Sequence, residues 1–209
     1  MVLGTSGTGK STSLRNLNPE ETFVIQAAKK ALPFKGWKKK FNESNLFFSK
    51  DYAMIKKTIK FINEKRPNIK QIVIDDSSYL LTDDFMKRIP HKATGGEVFE
   101  KYNEIGYNFY NLISMVEKLR DDLFVVFIAH TDTSDNGQKH FKVVGKMLTN
   151  MVVLEGKATY ILESGVESGK YFFKTNSFDF GDIAKTPMGM FEEIEIENDL
   201  NMVLEKIKE

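Results

Sequence analysis

The most regular pattern in the chain is helical. Tyr102, Ile105, Phe109, Leu112, Val116 and Leu119 recur at steps of three and four, which predicts a helix from about Glu97 to Arg120 with one buried face. A second stripe, Tyr52, Ile55, Ile59 and Ile62, predicts a helix capped by Asp51 and running to about Lys65, with Pro67 beyond it. Three apolar runs do not alternate: Thr22–Gln26, Gln71–Asp75 and Leu123–Ala129. Such runs mark parallel strands covered on both faces. Leu46–Phe48 reads as a shorter strand, and Ser11–Leu17 as a short helix stopped by Asn18-Pro19. Ser77–Ile89 reads as a loop or broken helix, and His91–Glu97, with Thr94-Gly95-Gly96, as a mobile loop.

Beyond His130 the pattern changes. Thr131–Gly145 is polar, with Asp135-Asn136-Gly137 as a turn signal. Met151–Glu163 and Lys170–Thr175 read as strands joined by a turn at Ser164–Gly169, and Phe191–Ile196 alternates weakly. Asn198 or Asp199 caps a last helix carrying Leu200, Val203, Leu204 and Ile207. Strands alternating with helices predict an α/β fold. The sheet is mostly parallel and flanked by helices, with antiparallel strands at the C-terminal side. We read residues 1–209 as one domain: a core over 1–150, then β additions and the terminal helix over 151–209.

Composition narrows the function classes. With 41% hydrophobic and 28% charged residues in 209, the chain can fill one core, and its net charge of +1 does not advertise a polyanion partner. The absence of cysteine excludes disulfides and thiolate metal sites, and it is compatible with a reducing cytoplasm. No apolar run approaches the ~20 residues of a membrane span, and no signal peptide is expected.

Chemistry is concentrated at the start of the chain. Gly4-Thr5-Ser6-Gly7-Thr8-Gly9-Lys10-Ser11-Thr12 carries the G-x-x-x-x-G-K-[ST] pattern of a phosphate-binding loop. Its backbone N–H groups surround phosphate oxygens, Lys10 reaches the β- and γ-phosphates, and the Ser11 hydroxyl binds Mg²⁺. Only Met1-Val2-Leu3 precede it, so the supporting strand is expected to be very short unless the native start lies upstream. Such a loop calls for an apolar strand ending in Asp on the metal side, and Ile72-Val73-Ile74-Asp75 supplies it. Asp76 follows and is a candidate base for the attacking water; a solvated loop carboxylate is the alternative. His130 closes the Leu123–Ala129 strand, where ligands of doubly wound sheets bind. Lys38 and Lys39, beside Trp37, mix cations with a ring as single-strand binders do. Lys139, Lys142 and Lys146 are further candidates for contacts with DNA, and Lys146 for a neighbouring subunit's nucleotide. Ordinary solvated lysines are the alternative for each.

Several blocks together resemble a known family. GTSGTGKST at 4–12, LPFKGWKKKF at 32–41, IVIDDSSYLL at 72–81, FIAHTD at 127–132, GKML at 145–148 and TPMGMF at 186–191 are similar to the RecA-like P-loop ATPases of bacteriophages. These are AAA-family nucleotide-binding proteins that include the Sak-type proteins of single-strand annealing and recombination. The resemblance implies a RecA-type core, ATP and Mg²⁺ as cofactors, a homo-oligomer and work on single-stranded DNA in the host-cell cytoplasm. By position it makes Lys10 and Ser11 the phosphate-loop pair, Asp75 the metal-side aspartate, His130 the γ-phosphate sensor and 131–145 the DNA-facing loop; with Asp76 as the candidate base, the catalytic set is Lys10, Asp75, Asp76 and His130. The chain departs from the RecA pattern in having no glutamate after Thr22–Gln26, where Ala27 and Ala28 follow. Two other readings stand beside an ATPase. One is a nucleotide-gated binding module with little hydrolysis. The other is a small-molecule kinase, disfavoured by the scattered Arg15, Arg66, Arg88 and Arg120.

Overall fold

A computed structural model describes residues 1–88, 96–144 and 153–209. Among these, nine strands form one sheet: β1 (Val2–Gly4), β2 (Thr22–Gln26), β3 (Leu46–Phe48), β4 (Gln71–Asp75), β5 (Phe124–Thr133), β6 (Lys139–Phe141), β7 (Leu162–Glu167), β8 (Lys170–Lys174) and β9 (Glu195–Glu197). The helices are α1 (Trp37–Lys40), α2 (Tyr52–Lys65), α3 (Ser78–Arg88), α4 (Gly96–Ser114) and α5 (Leu200–Lys208). The strand order is β3-β2-β4-β5-β1-β7-β8-β9, with β6 hairpinned onto the end of β5. β3 through β7 in that order are mutually parallel, while β8 pairs antiparallel with β7 and β9 antiparallel with β8. The expected α/β architecture is therefore present.

The pleat of the central strands sorts their side chains to two covered faces. Ile72 and Ile74 of β4 join Ile55, Ile59 and Ile62 of α2, Leu80 and Leu81 of α3, and Ile105, Phe109 and Leu112 of α4. Val73, between them, points the other way and joins Leu14, Leu17, Phe41, Leu200, Val203 and Leu204. That is why the runs read as continuous. Asp51 caps α2 by accepting from the N–H groups of Ala53 and Met54, and Asp199 caps α5 by accepting from that of Asn201.

Four expectations need correction. Ser78–Arg88 is an ordered helix, because Leu80 and Leu81 are buried against the sheet although Tyr79 and Met86 are exposed and blur the apolar stripe. α4 ends at Ser114 and passes into a 3₁₀ turn, Met115–Lys118, well before Arg120. β5 does not stop at Ala129; it continues through His130 to Thr133, because β6 pairs with its polar end. The strand expected over Met151–Glu163 is displaced: Leu154–Lys157 is a 3₁₀ turn, and β7 begins at Leu162 parallel to β1. Consequently Ser164 lies within the strand, and the β7–β8 reversal is confined to Ser168 and Gly169, at φ 49° and 78°. His91 and Lys146 lie outside the described residues.

Phe109 ties α4 to the sheet, with its ring 6.3 Å from that of Phe127 and 5.4 Å from that of Phe141. It is fully buried. Phe109→Ala is expected to destabilise the chain by about 3–5 kcal/mol, read as a lower urea midpoint at unchanged slope.

Candidate functional site

The phosphate loop joins β1 to a 3₁₀ turn over Ser11–Asn16. Gly9 sits at φ 84°, and a Cβ there would lie 2.8 Å from the Tyr171 ring of β8. Glycine is required on both counts. At Gly4 a Cβ would meet the Ser164 Oγ at 2.3 Å and the Ser164 carbonyl at 2.8 Å. Ser164 also shares a hydrogen bond of 2.7 Å with the Thr8 hydroxyl, which bonds the Thr5 carbonyl at 2.9 Å. β7 thus braces the loop from behind. Thr5, Ser6 and Gly7 are exposed at its tip, and Thr12 is half-buried in the turn that follows.

Lys10 is buried under the loop and donates to the Gly4 and Thr5 carbonyls at 2.9 and 2.5 Å. Burial lowers its pKa to about 8; the Asp76 and Asp75 charges oppose the shift, and the Lys30 charge adds to it. An ammonium in that position is under-compensated, and a phosphate would complete it.

β5 separates β1 from β4, yet the two chemical ends meet because register aligns Gly4 with His130 and Gln26 with Asp75. The Ser11 hydroxyl donates to Asp75 Oδ1 at 2.7 Å. Asp75 Oδ2 is buried and has no close hydrogen-bond partner among the described residues, although the Gln26 side chain lies near enough to favour the charged carboxylate. Burial first, and the adjacent Asp76 charge second, push the Asp75 pKa up to about 6. The hydroxyl and the buried Oδ2 are hard donors that suit Mg²⁺, so this pair fits the metal implied by a phosphate loop.

Asp76 is also buried, at φ 57°, a left-handed conformation that aspartate tolerates. It forms an ion pair with Lys30, and its Oδ1 lies 3.9 Å from His130 Nε2. The solvated-loop alternative for Asp76 is thereby removed. His130 packs edge-on against Tyr79, with the ring centroids 5.9 Å apart. Burial, and then the Lys10 charge, hold its pKa below the ordinary 6.5, so it is neutral near pH 7. Its backbone N–H donates to the Ser78 hydroxyl at 2.9 Å.

The loop residues, Lys10, Ser11, Asp75, Asp76 and His130 therefore converge on one end of the sheet. Lys38 and Lys39 do not. The β2-to-β3 connection must return to the opposite end of two parallel strands. There Lys39 lies with Glu20, Pro67 and Lys70, and Lys38 covers the half-buried Trp37 ring at 5.8 Å. Lys139 is held by Glu163 at 2.5 Å and stands 3.7 Å from Asp182. Lys142 is exposed just past the β6 end. Sequence reasoning missed three residues here: Lys30, Ser164 and Tyr171. Lys30 had a signal, since it closely follows a buried parallel strand; Ser164 and Tyr171 reach the loop only through strand pairing. An apolar cavity of about 260 Å³ lies at the other end of β1 and β5, lined by Phe124, Leu162 and Val203. Its charged lining residues, Glu117 and Lys157, pair with each other at 2.9 Å, so it offers nothing to phosphates.

The Asp75 shift has a definite sign. The folded carboxyl keeps its proton up to about pH 6, whereas the unfolded one loses it near 3.8, so its contribution to stability is present at low pH and is lost as pH rises through 6. Above that pH the buried charge costs roughly 2–3 kcal/mol. Asp75→Asn is therefore expected to melt several degrees higher than wild type at pH 7.5 without nucleotide, and to lose Mg²⁺-dependent nucleotide binding. Differential scanning calorimetry with a Mg²⁺ titration checks both. In the wild type, Mg²⁺-dependent nucleotide binding is expected to weaken as pH falls below 6.

The comparison with known proteins agrees with this geometry. No curated protein matches the chain. A family model described as an AAA domain matches residues 1–172, which take in the phosphate loop, Asp75, His130 and the bracing strand β7. The chain belongs to the AAA domain family of nucleotide-binding P-loop ATPases.

Proposed function

We propose that this protein is a Mg²⁺-dependent ATPase that acts on single-stranded DNA in phage recombination, annealing or replication, as a self-assembling protein of the host-cell cytoplasm. The observation that carries the nucleotide reading is the Ser11–Asp75 hydrogen bond at 2.7 Å, beside a buried Asp75 Oδ2 that has no close hydrogen bond among the described residues. No described helix is long and apolar enough to cross a membrane.

The residues divide the work as follows. The loop backbone and Lys10 hold the β- and γ-phosphates. Ser11 and Asp75 hold Mg²⁺, which neutralises charge on the phosphate oxygens when bound. Asp76 accepts a proton from the water that attacks the terminal phosphate. His130, neutral and 3.9 Å from Asp76, orients that water and the leaving oxygens. A second reading, nucleotide binding with little turnover, is favoured by one observation: Lys30 occupies Asp76 through their ion pair. A carboxylate so engaged is a weak base.

The DNA reading is supported by strand continuity. β5 carries His130 at the phosphate end and, directly beyond it, the hairpin of Thr131–Thr133 with Lys139–Phe141. Lys142 donates its backbone N–H to the His130 carbonyl at 2.8 Å. A change at the terminal phosphate is thus one residue from an exposed, partly basic hairpin. Lys142 is exposed beside it and has no ion pair among the described residues, while Lys38 and Lys39 would contact DNA only from the far end of the sheet. Lys146 remains a proposed contact to DNA or to a neighbouring subunit.

Lys10→Ala is expected to lower ATP turnover by about 100-fold or more. Wild-type turnover is expected to rise as single-stranded DNA is added, and Lys142→Ala to blunt that rise. Steady-state phosphate release checks all three. Turnover that stays flat across the DNA titration would remove the DNA link, and absent turnover with intact binding would favour the gated module.

A further inference from the structure

Lys30 stands in the site without a role in the scheme above. It follows β2, the strand next to β4, and two contacts place it. The Ala27 N–H donates to the Asp75 carbonyl at 3.0 Å, and the Gln26 side-chain amide donates to the Lys30 carbonyl at 3.1 Å. The turn after β2 is therefore tied down, and the half-exposed Lys30 side chain reaches the Asp76 carboxylate at the end of β4.

The pair it makes with Asp76 is asymmetric. The Asp76 side chain is 3% exposed and the Lys30 side chain 48%. The carboxylate is fixed by its strand end and its left-handed backbone, whereas the ammonium rides on a flexible stem. Only the lysine can leave. It can do so only if something else satisfies Asp76, because an unpaired buried carboxylate is costly. A water that donates a hydrogen bond to Asp76 is such a replacement.

The two lysines of the site face the same space. The charge of each bears on the same buried carboxylates, and the Lys30 charge contributes to the lowered pKa of Lys10. Without nucleotide, Lys10 and Lys30 balance Asp75 and Asp76. A nucleoside triphosphate with one Mg²⁺ brings roughly two net negative charges, and a diphosphate roughly one. Lys10, held by the Gly4 and Thr5 carbonyls, meets the β- and γ-phosphates from the loop side. The added charge of the terminal phosphate falls towards Asp76 and His130, where Lys30 stands as a cation additional to Lys10.

We infer that Lys30 is a second phosphate-binding cation: it moves from Asp76 to the terminal phosphate of a nucleoside triphosphate and thereby frees Asp76 for the attacking water. This rests on the nucleotide-binding reading of the site. It reconciles the two functional readings, since the same ion pair that idles Asp76 in the empty site is broken by the substrate itself.

The test is a set of dissociation constants measured by calorimetry, with Mg²⁺ present, for ATPγS and for ADP. Lys30→Gln is expected to weaken ATPγS about tenfold and ADP less than about twofold. Lys30→Arg, which keeps the charge, should hold ATPγS within about threefold of wild type. The double variant Lys30→Gln/Asp76→Asn removes the stranded carboxylate and should still show the ATPγS loss; it decides the matter if Lys30→Gln alone does not fold. Equal weakening of both nucleotides would overturn the assignment, as would recovery of wild-type ATPγS affinity in the double variant, because Lys30 would then only neutralise Asp76. Wild type that binds neither nucleotide would instead bring down the nucleotide reading, and this proposal with it.

Discussion

A carboxylate held away from water organises this molecule. Asp75 ends the central strand β4, fully buried, with one oxygen answered by Ser11 and the other without a close hydrogen bond among the described residues, the Gln26 amide being its polar neighbour. Keeping such a group ionised costs free energy, which the apolar clusters on both faces of β4 offset. The cost is useful where a metal ion is to be held, because an oxygen already stripped of water and without a close hydrogen bond gives up little when it binds a cation. Stability and nucleotide chemistry are opposed at this one residue, a common condition of functional sites.

β5 is the element through which the parts communicate. It separates the phosphate-loop strand from the Asp75 strand, so it brings His130 between them. Its polar extension is drawn out by β6 and leads into the hairpin that carries Lys139 and Lys142. The loop is braced from its other side by β7, where Ser164 bonds Thr8, and by Tyr171 of β8 against Gly9. The C-terminal strands are thus not an ornament on a nucleotide-binding core. Ser164 of β7 and Tyr171 of β8 bound the phosphate loop, and both fall within the family match over residues 1–172.

Local patterns were enough for much of the core. The stripes of α2 and α4 and the uninterrupted runs of β2, β4 and β5 are legible because their faces are buried and their periods differ. The phosphate loop and Asp75 are legible because their chemistry demands particular residue types at fixed spacing. α3 was not legible: only a few of its residues face the core, so its pattern is too sparse to distinguish from a loop. β7 was misplaced by several residues because its boundary is set by pairing with β1, a strand far away in the sequence.

The sequence by itself determined an α/β chain with a phosphate loop at Gly4–Ser11 and a metal-side aspartate at Asp75, since short-range pattern and composition carry both. Only the tertiary structure decided which charges meet. It gave Asp76 to Lys30, bound Lys139 to Glu163, and left Lys38 and Lys39 at the far end of the sheet. The reason is physical: an ion pair depends on distance and burial, and both are set by strand order and register rather than by neighbours along the chain.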